Sequence, residues 1–394
     1  MISDELEPTK KKKMFPEPPS MFSSLPDEII ENILARVSRW KYPLLSLVSK
    51  RFHSLLSSMK IYKKRSQIGA SETCVYVFLK KLPDHPCASW FSLRAKPSNQ
   101  NRDSSVMSVV PVPSSSADFS PELFYIETFG SDMYIIGGPY KEPSSSIDHV
   151  SFNIFDCRSH TWRDGPNMTV ARKNAETVLL DEKIYVMGGC DIDEYNANWI
   201  EVFDIKSQSW SALPGPGADD EELLNHLRNN NWEYYIVSVF KGKLYVVAGE
   251  KEYSYEPKNG TWKLLREYSS FIGNVTYCCT DSGNLIWSGF ENEGIEWREI
   301  KGLEKLREHP TRGLEIGSQF GLVSSGGQLL VMWDPYDLSV SSSSIKQNNK
   351  FWYARISLES RCNGRDVWGK VECVDMLTIS IESYVRFECF AASV

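Results

Sequence analysis

The side chains of this chain that could bind a metal or act as a nucleophile are six histidines and nine cysteines. The histidines are scattered without HxxxH or HExxH spacing, at His53, His85, His149, His160, His226 and His309. The sequence contains no CxxC pair, no GxSxG elbow and no glycine-rich phosphate loop. We therefore expect no catalytic residue, no metal ligand and no cofactor. A metal site assembled from distant loops stays open as an alternative.

Charge is unevenly distributed along the chain, whose net charge is −7. Residues 1–65 carry 13 basic and 7 acidic side chains, whereas the remaining residues carry 31 and 44, a net charge of −13. Because an acidic surface repels phosphate backbones, we expect no nucleic-acid partner for the larger part. No segment approaches the roughly 20 apolar residues that a membrane span requires, so we expect no membrane association. The unpaired cysteines favour an intracellular location, in the cytoplasm, the nucleus or both.

A change of pattern near residue 20 separates a tail from a helical segment. Residues 1–19 are charged and rich in proline, which predicts a disordered tail. The Lys10–Lys13 run fits either a nuclear-import signal or a solvated part of that tail. In residues 20–66, a helix-start signal at Ser24–Glu28 is followed by apolar residues at helical spacing. Two or three such short helices cannot enclose a core of their own, so we expect much of their apolar surface to be shared with another protein.

Two features recur after residue 71 at nearly fixed spacing, a Gly-Gly doublet and a tryptophan. The segment Ile184–Gly189 repeats the pattern of Met133–Gly138, 51 residues earlier. A tryptophan follows an acidic residue by six positions three times, in the pairs Asp156/Trp162, Asp204/Trp210 and Glu256/Trp262. A period of about 50 residues with this internal order resembles the kelch repeat. The resemblance implies that each repeat is one four-stranded blade of a β-propeller.

The repeated residues have structural roles in this interpretation. We expect the glycines at 137–138 and 188–189 to end the second strand of a blade, where the backbone takes positive φ or closely approaches its neighbour. They form no phosphate-binding loop, because no helix follows them. The tryptophans are predicted to lie between blades and to bury about 200 Å² each.

The predicted fold is therefore mainly β, a six-bladed kelch β-propeller in residues 72–394, preceded by a small α-helical domain in residues 20–66. The segment 72–112 offers only three strands, without an innermost one, whereas Tyr384–Ala392 is a strand without a blade. We expect this C-terminal strand to complete the first blade and to join the two ends of the propeller.

The fifth blade departs from the repeat. Trp262 and Trp297 are only 35 residues apart, which leaves little room for a full set of strands. This blade is either a three-stranded remnant or one from which a segment has been lost.

The helical segment contains the sequences LPDEII at Leu25–Ile30 and VSKRF at Val48–Phe52. These motifs resemble the F-box, and an F-box followed by kelch repeats is similar to the plant F-box/kelch-repeat family. The resemblance implies the substrate-recognition subunit of an SCF ubiquitin ligase, which is not itself an enzyme. Its F-box would bind a Skp-family adaptor, through which the cullin and RING subunits are recruited, and its propeller would capture a target protein for ubiquitination.

The resemblance assigns adaptor contacts to apolar residues of the helical segment, some of which must instead form its internal core. They are Leu25, Pro26, Ile29, Ile33, Leu34, Leu44, Leu47, Val48 and Phe52.

Target binding is expected on the face of the propeller that carries the long loops. In an up-and-down blade, the loops between the second and third strands share a face with the links between blades, and these loops are long and varied here. Aromatic and arginine side chains on this face are the best anchors, namely Tyr140, Arg172, Tyr195, Trp232 and Tyr336. Each of them could instead pack the loops down, and Arg172 stands where kelch repeats commonly carry arginine.

Two other classes of function stay open. A kelch protein can be a scaffold outside any ligase, and some kelch propellers are metal-dependent enzymes. The apolar helical stripe favours the ligase subunit, because a scaffold has no use for it.

Overall fold

The structure is a computed structural model, and it divides into two compact units, Met1–Ser71 and Glu72–Val394. The predicted fold class, mainly β with short helices at the N-terminal end, is confirmed. The predicted disordered tail, residues 1–19, lies outside the described residues. The residues that the structure describes are 24–80, 89–95, 107–113, 125–137, 152–170, 172, 175–188, 200–213, 235–240, 242–248, 251–266, 276–279, 284–291, 294–307, 320–325, 328–334, 350–362, 366–379, 384 and 386–394.

The N-terminal unit is built from short helices, the last two of which begin at capping serines. The helices are α1 (Asp27–Ala35), a 3-10 turn (Arg39–Lys41), α2 (Tyr42–Leu45), α3 (Lys50–Leu56) and α4 (Met59–Gln67). Asp27 and Glu28 occupy the first turn of α1, where the helix dipole favours acidic side chains. The hydroxyl oxygens of Ser49 and Ser58 accept hydrogen bonds from backbone N–H groups in the first turns of α3 and α4.

These helices enclose an apolar core, contrary to our expectation that they could not. Its members are Ile30, Leu34, Ala35, Tyr42, Leu55, Leu56 and Ile61. The expectation was wrong because α4, absent from the predicted helices, packs against α1. Arg65 of α4 is 1% exposed and donates hydrogen bonds to the carbonyl oxygens of Ala35 (3.1 Å) and Val37 (2.6 Å), where α1 ends. A buried cation is thus placed against the negative end of a helix dipole.

The second unit consists of antiparallel sheets, six of them in the described residues, which we number I to VI. Sheet I contains β1 (Thr73–Lys80), β2 (Ser89–Ala95), β3 (Met107–Pro111) and β23 (Arg386–Ser393). Sheet II contains β4 (Tyr125–Phe129), β5 (Asp132–Ile136), β6 (Phe152–Asp156) and β7 (Thr161–Asp164). Sheet III contains β8 (Glu176–Leu180), β9 (Lys183–Met187), β10 (Ile200–Asp204) and β11 (Ser209–Leu213).

The remaining sheets follow in chain order. Sheet IV contains β12 (Tyr235–Phe240), β13 (Lys243–Ala248), β14 (Lys251–Glu256) and β15 (Thr261–Arg266). Sheet V contains β16 (Thr276–Cys279), β17 (Leu285–Glu291) and β18 (Gly294–Glu299), and helix α5 (Glu304–Arg307) comes after it. Sheet VI contains β19 (Phe320–Ser325), β20 (Gln328–Trp333), β21 (Lys350–Arg361) and β22 (Asp366–Thr378).

Alternation of side chains along each strand covers both faces of a sheet. In β9, Ile184 and Val186 pack against sheet II, whereas Tyr185 and Met187 pack against sheet IV. Similar apolar clusters join sheet VI to sheet I on one side and to sheet V on the other. Each sheet is therefore stabilised by its neighbours, as the repeat predicts.

A recurrent five-residue turn explains why an acidic residue precedes each tryptophan by six positions. The carboxylate of Asp204 accepts hydrogen bonds from the backbone N–H groups of Lys206 and Ser207, both at 2.9 Å, and closes the turn after β10. The fourth residue after the acid has positive φ in three sheets, at His160 (56°), Gln208 (55°) and Gly260 (68°). The repeat thus encodes a turn with one residue in the left-handed backbone conformation, two residues before the tryptophan of the outermost strand.

The first glycine of each Gly-Gly doublet adopts the predicted backbone conformation. Gly188 has φ of 71°, a left-handed conformation that glycine adopts without steric cost. Gly137 has φ of 130° at the equivalent place. The second glycines, at 138 and 189, lie outside the described residues.

Two of the repeated tryptophans join neighbouring sheets by the same hydrogen bond. The Nε1 of Trp162 donates to the carbonyl oxygen of Pro113 at 2.8 Å, and that of Trp210 donates to the carbonyl oxygen of Pro166 at 2.7 Å. The Trp210 ring also contacts Phe152 of the preceding sheet, with ring centroids 5.2 Å apart. Each indole therefore contributes both apolar packing and a polar link between consecutive sheets.

The C-terminal strand completes sheet I. β23 pairs with β1 in antiparallel register from Thr73↔Ser393 to Lys80↔Arg386, and the pairing extends to Glu72 and Val394 through two backbone hydrogen bonds of 2.7 and 2.9 Å. This is the pairing that we expected of Tyr384–Ala392. β23 also contacts β4 and β19, the first strands of the sheets on either side. The first sheet thus depends on a strand from the far end of the chain.

Sheet V has three strands in the described residues, as in the first of the two alternatives for the fifth blade. After β18 the chain crosses to sheet VI, where Lys301 exchanges backbone hydrogen bonds with Val367 (3.0 Å) and Gly369 (2.8 Å). Ile300 and Leu303 are buried in the core shared by sheets V and VI. The segment that follows β18 is therefore fastened to the next sheet. The number of blades in a closed propeller stays a prediction.

Two carboxylates meet between the first strands of sheets II and III. Glu127 of β4 accepts a hydrogen bond from the Thr177 hydroxyl at 2.9 Å, and Glu176 of β8 accepts one from the Tyr125 hydroxyl at 3.2 Å. Burial raises the pKa of Glu127 to about 7. The hydrogen bond from Thr177 lowers this pKa, and the negative charge of Glu176 raises it further. The pKa of Glu176 is raised too, chiefly by burial.

The tryptophan link can be tested by thermal and urea unfolding of variants. Trp210→Ala should lower the free energy of unfolding by about 3–5 kcal/mol, because it removes a large inter-sheet side chain. Trp210→Phe keeps an aromatic ring but loses the bond to Pro166, and should cost about 1 kcal/mol from that bond alone, beyond any repacking. Equal stability of the two variants would show that the hydrogen bond, not the packing, is what matters.

The Glu127 site predicts an unusual pH dependence of stability. The folded state holds this proton more tightly than the unfolded state, whose pKa is near 4.5, so the free energy of unfolding should fall as pH rises from 4.5 through 7. The loss is at most on the order of 3 kcal/mol. Glu127→Gln cannot ionise, so its stability relative to the unsubstituted chain should increase between pH 5 and pH 8 in urea titrations. Glu359→Gln, at an exposed carboxylate, is the control, and a pH-independent difference for Glu127→Gln contradicts the assignment.

Candidate protein-binding surfaces

Met59, at the start of α4, is exposed, and so are five other large apolar side chains of the N-terminal unit that lie between residues 29 and 48, although a core is available beside them. Two lie on α1, Ile29 at 46% and Ile33 at 38% exposed. The other three lie on α2 and in the turn after it, Leu44 at 68%, Leu47 at 81% and Val48 at 66%. Apolar side chains this exposed and this close in sequence mark a surface that another protein covers. We call these five residues the apolar surface.

The outward face of α1 is set by the spacing of its isoleucines. Ile30 and Leu34, four positions apart, are buried in the core, whereas Ile29 and Ile33 lie one position earlier and project outward. Helical periodicity alone had joined all four into a single stripe. The core divides this stripe into a buried half and an exposed half.

The second part of the apolar surface is held by side-chain hydrogen bonds around a short turn. The Ser46 hydroxyl donates to the carbonyl oxygen of Pro43 at 2.7 Å, and Ser49 caps the next helix. Leu47 and Val48 lie between these two serines. The turn therefore presents two apolar side chains on a locally fixed backbone.

The nine residues predicted to bind the adaptor divide between the surface and the interior. Leu34 belongs to the core, and Leu25 and Phe52 are partly buried and pack against it. Six others are exposed, namely Pro26, Ile29, Ile33, Leu44, Leu47 and Val48. Sequence reasoning did not single out Arg51, whose guanidinium binds the chain at Leu25 and Asp27.

Four of the five predicted target-binding residues lie outside the described residues. They are Tyr140, Tyr195, Trp232 and Tyr336. Their role in target binding stays a prediction.

Arg172, the fifth, lies in the link before β8, and its side chain is buried against sheet III. Its side chain is 1% exposed, and its Nη2 and Nε donate to Glu201 Oε2 at 3.1 and 3.3 Å. Its Nη1 donates to the carbonyl oxygen of Gly188 at 2.8 Å. A side chain enclosed in this way cannot anchor a partner at the surface, so the geometry favours the structural role that the sequence left open.

Glu201 is the other half of this buried pair, and its two carboxylate oxygens are shared among several donors. It is fully buried and accepts hydrogen bonds from the backbone N–H and the hydroxyl of Thr169, at 2.8 and 2.6 Å, and from the N–H of Val170 at 3.3 Å. The pair connects the link before β8 with the end of β9. The pair therefore fixes the backbone at Gly188, which stands shortly before a segment that the sequence predicts to be a long loop.

A second buried polar contact lies at the start of another predicted loop. Asp334, 1% exposed, accepts a hydrogen bond from the Tyr384 hydroxyl at 3.0 Å. Burial, together with the charge of Asp334, raises the pKa of Tyr384, so this hydroxyl stays a donor. The contact ties the residue after β20 to the segment that leads into β23.

Within the described part of the chain, no group of three or more His, Cys, Asp or Glu side chains could hold a metal ion. The same part of the chain has no helix that is both long and apolar enough to cross a membrane.

Two family models match the chain. One describes the F-box domain and matches residues 22–64, which include the apolar surface. The other, described as the FKB95, Kelch-repeats domain, matches residues 90–378, which include most of sheets I to VI.

Similar proteins from Arabidopsis thaliana match along nearly the whole chain. An F-box/kelch-repeat protein is 41% identical over 423 residues, covering 100% of this chain and 98% of the relative. Two more are 37% identical over 394 and 389 residues, covering 94% and 95% of this chain and 92% and 93% of the relatives. With helices that carry the F-box motifs and sheets that follow the kelch period, the chain belongs to the F-box/kelch-repeat protein family.

Proposed function

We propose that this protein is the substrate-recognition subunit of an SCF-type ubiquitin ligase. The observation that supports this most strongly is the apolar surface, which remains exposed beside a complete helical core. Such a surface is costly in water unless a partner covers it. A Skp-family adaptor is the partner that the F-box motifs imply.

Burial of the apolar surface supplies the affinity for the adaptor. Each exposed leucine, isoleucine or valine contributes on the order of 1.5–3 kcal/mol when fully removed from water. Three of the five side chains lie within five residues of chain, which suits helix-in-groove binding. The rest of the unit is basic, with acidic side chains confined to α1 among residues 24–71, and this charge would speed encounter with an acidic adaptor.

Target capture is assigned to the sheet-containing unit. A rigid scaffold of stacked sheets can present long loops on one face. The buried contacts of Arg172 and Asp334 fix the backbone just before two segments that the sequence predicts to be such loops. The propeller would then hold a lysine of the target near a ubiquitin-charged carrier enzyme. Proximity supplies the rate enhancement, so this chain needs no catalytic side chain of its own.

The alternatives make different use of the N-terminal unit. A non-ligase kelch scaffold or a metal-dependent kelch enzyme would leave the apolar surface without a function. The adaptor proposal accounts for that surface, and we therefore prefer it.

Adaptor binding can be tested with a purified Skp-family adaptor and surface plasmon resonance. Leu47→Ala should weaken binding about ten- to a hundredfold, because Leu47 is the most exposed member of the apolar surface. Its melting temperature should not change. The matched control is Leu34→Ala, a buried leucine whose loss should lower stability by about 2–5 kcal/mol. Tight binding by Leu47→Ala would contradict the assignment of the apolar surface.

The division of labour between the two units predicts a second result. Affinity capture from cell extract with the whole chain should recover adaptor, cullin and a target protein together. A chain lacking residues 20–65 should lose adaptor and cullin but keep the target, because the target contacts lie in the other unit. Loss of the target together with the adaptor, from a truncated chain that is still folded, would show that the sheets alone do not capture it.

A further inference from the structure

Arg51 connects two parts of the N-terminal unit that are far apart in sequence. It is the second residue of α3, and its Nη2 donates to the carbonyl oxygen of Leu25 at 2.6 Å. Its Nε donates to Asp27 Oδ1 at 2.7 Å, a contact between residues 24 positions apart. One guanidinium group thus binds a backbone carbonyl and a carboxylate at the same time, through its fixed fork of donors.

The position of this contact relates it to the apolar surface. That surface is discontinuous, with Ile29 and Ile33 on α1 and the remaining residues at 44–48. Arg51 lies three residues after Val48, and it binds the chain at Leu25 and at Asp27, which is two residues before Ile29. The contact therefore joins the part of the chain just after residues 44–48 to the part just before Ile29.

The held segment leads into the start of α1, which has no side-chain cap. Pro26 stands at the N-cap of α1 and makes no side-chain capping hydrogen bond. Leu25 is only partly buried against the core. A charge-assisted bond to the Leu25 carbonyl is therefore well placed to fix the direction in which the chain enters α1.

We propose that Arg51 is a positioning residue for adaptor binding, which holds the two segments of the apolar surface in the relative arrangement that the adaptor recognises. The inference rests on the proposed function, since it requires that the apolar surface binds an adaptor. Arg51 acts through Leu25 and Asp27. Without it, the segment at Leu25–Asp27 samples other positions, and the adaptor must bear the entropy of ordering that segment on binding.

A competing role is that of a rim charge, since the Arg51 side chain is 35% exposed. A rim charge accelerates encounter with an acidic partner, and lysine can replace arginine in that role. Positioning requires the two-pronged geometry of a guanidinium, which lysine lacks. The two roles therefore predict opposite results for Arg51→Lys.

The experiment measures association and dissociation rates for a purified Skp-family adaptor, at low and high salt, with the full chain and its variants. Arg51→Ala should weaken affinity about tenfold, mainly through faster dissociation. Arg51→Lys should weaken the affinity for the adaptor nearly as much as Arg51→Ala does. Lys50→Ala, which removes an exposed charge one residue away, should change only the association rate, and only at low salt. Circular dichroism must show native helix content for every variant at the temperature used.

A double-mutant cycle with Asp27→Asn tests whether Arg51 acts through its intramolecular partner. If it does, Asp27→Asn should weaken binding in the unsubstituted chain but add little to Arg51→Ala. Wild-type affinity in Arg51→Lys, or additive effects of the Asp27 and Arg51 substitutions, would overturn the positioning role and leave the proposed function intact. Absence of adaptor binding by the unsubstituted, folded chain would overturn the proposed function and the inference together.

Discussion

A β-sheet has two faces, and the larger unit of this protein can bury both faces of each sheet only by stacking it against others. Four strands of five or six residues cannot form a core alone. The structure satisfies this constraint by alternation, since the two sets of side chains in one strand enter the cores on opposite sides. The repeated residues follow from it, because a stack needs the same turn and the same inter-sheet contact each time.

The first sheet of such a stack contains only three consecutive strands of the chain. β23 completes it by pairing with β1, so that the last strand of the chain becomes the edge strand of the first sheet. Sheet V has only three strands in the described residues, and the segment after it is held by the next sheet. The segment after β18 joins β22 of sheet VI through Lys301, at a close approach where Gly302 has φ of 82° and an added Cβ would lie 2.8 Å from the carbonyl oxygen of Gly369.

The helical unit combines a small buried core with exposed apolar side chains. Its core is small, and the buried Arg65 binds the backbone carbonyl oxygens at the end of α1. Beside this core the unit leaves the five apolar side chains of the apolar surface exposed to water. We interpret this as selection for binding over solubility, and the contacts of Arg51 as the means of keeping a discontinuous binding surface in order.

The sequence by itself determined the elements and their repetition. The spacing of Asp204 and Trp210 and the doublet at Gly188 were enough to predict a four-stranded unit where sheet III lies, because turns and strand alternation are local properties. The C-terminal strand could be inferred too, since a segment without an innermost strand and a strand without a sheet complement each other.

Only the tertiary structure decided which members of a pattern face inward. Ile29 and Ile30 are equally apolar neighbours, and α4 determines which of them is buried. From the sequence, Arg172 could be a surface anchor. The structure shows that it is buried in a contact with Glu201, 29 residues away in the chain. Arg51 and Asp27 carry no local signal that joins them. Such pairings depend on the path of the chain through three dimensions, and residue type and spacing do not contain that path.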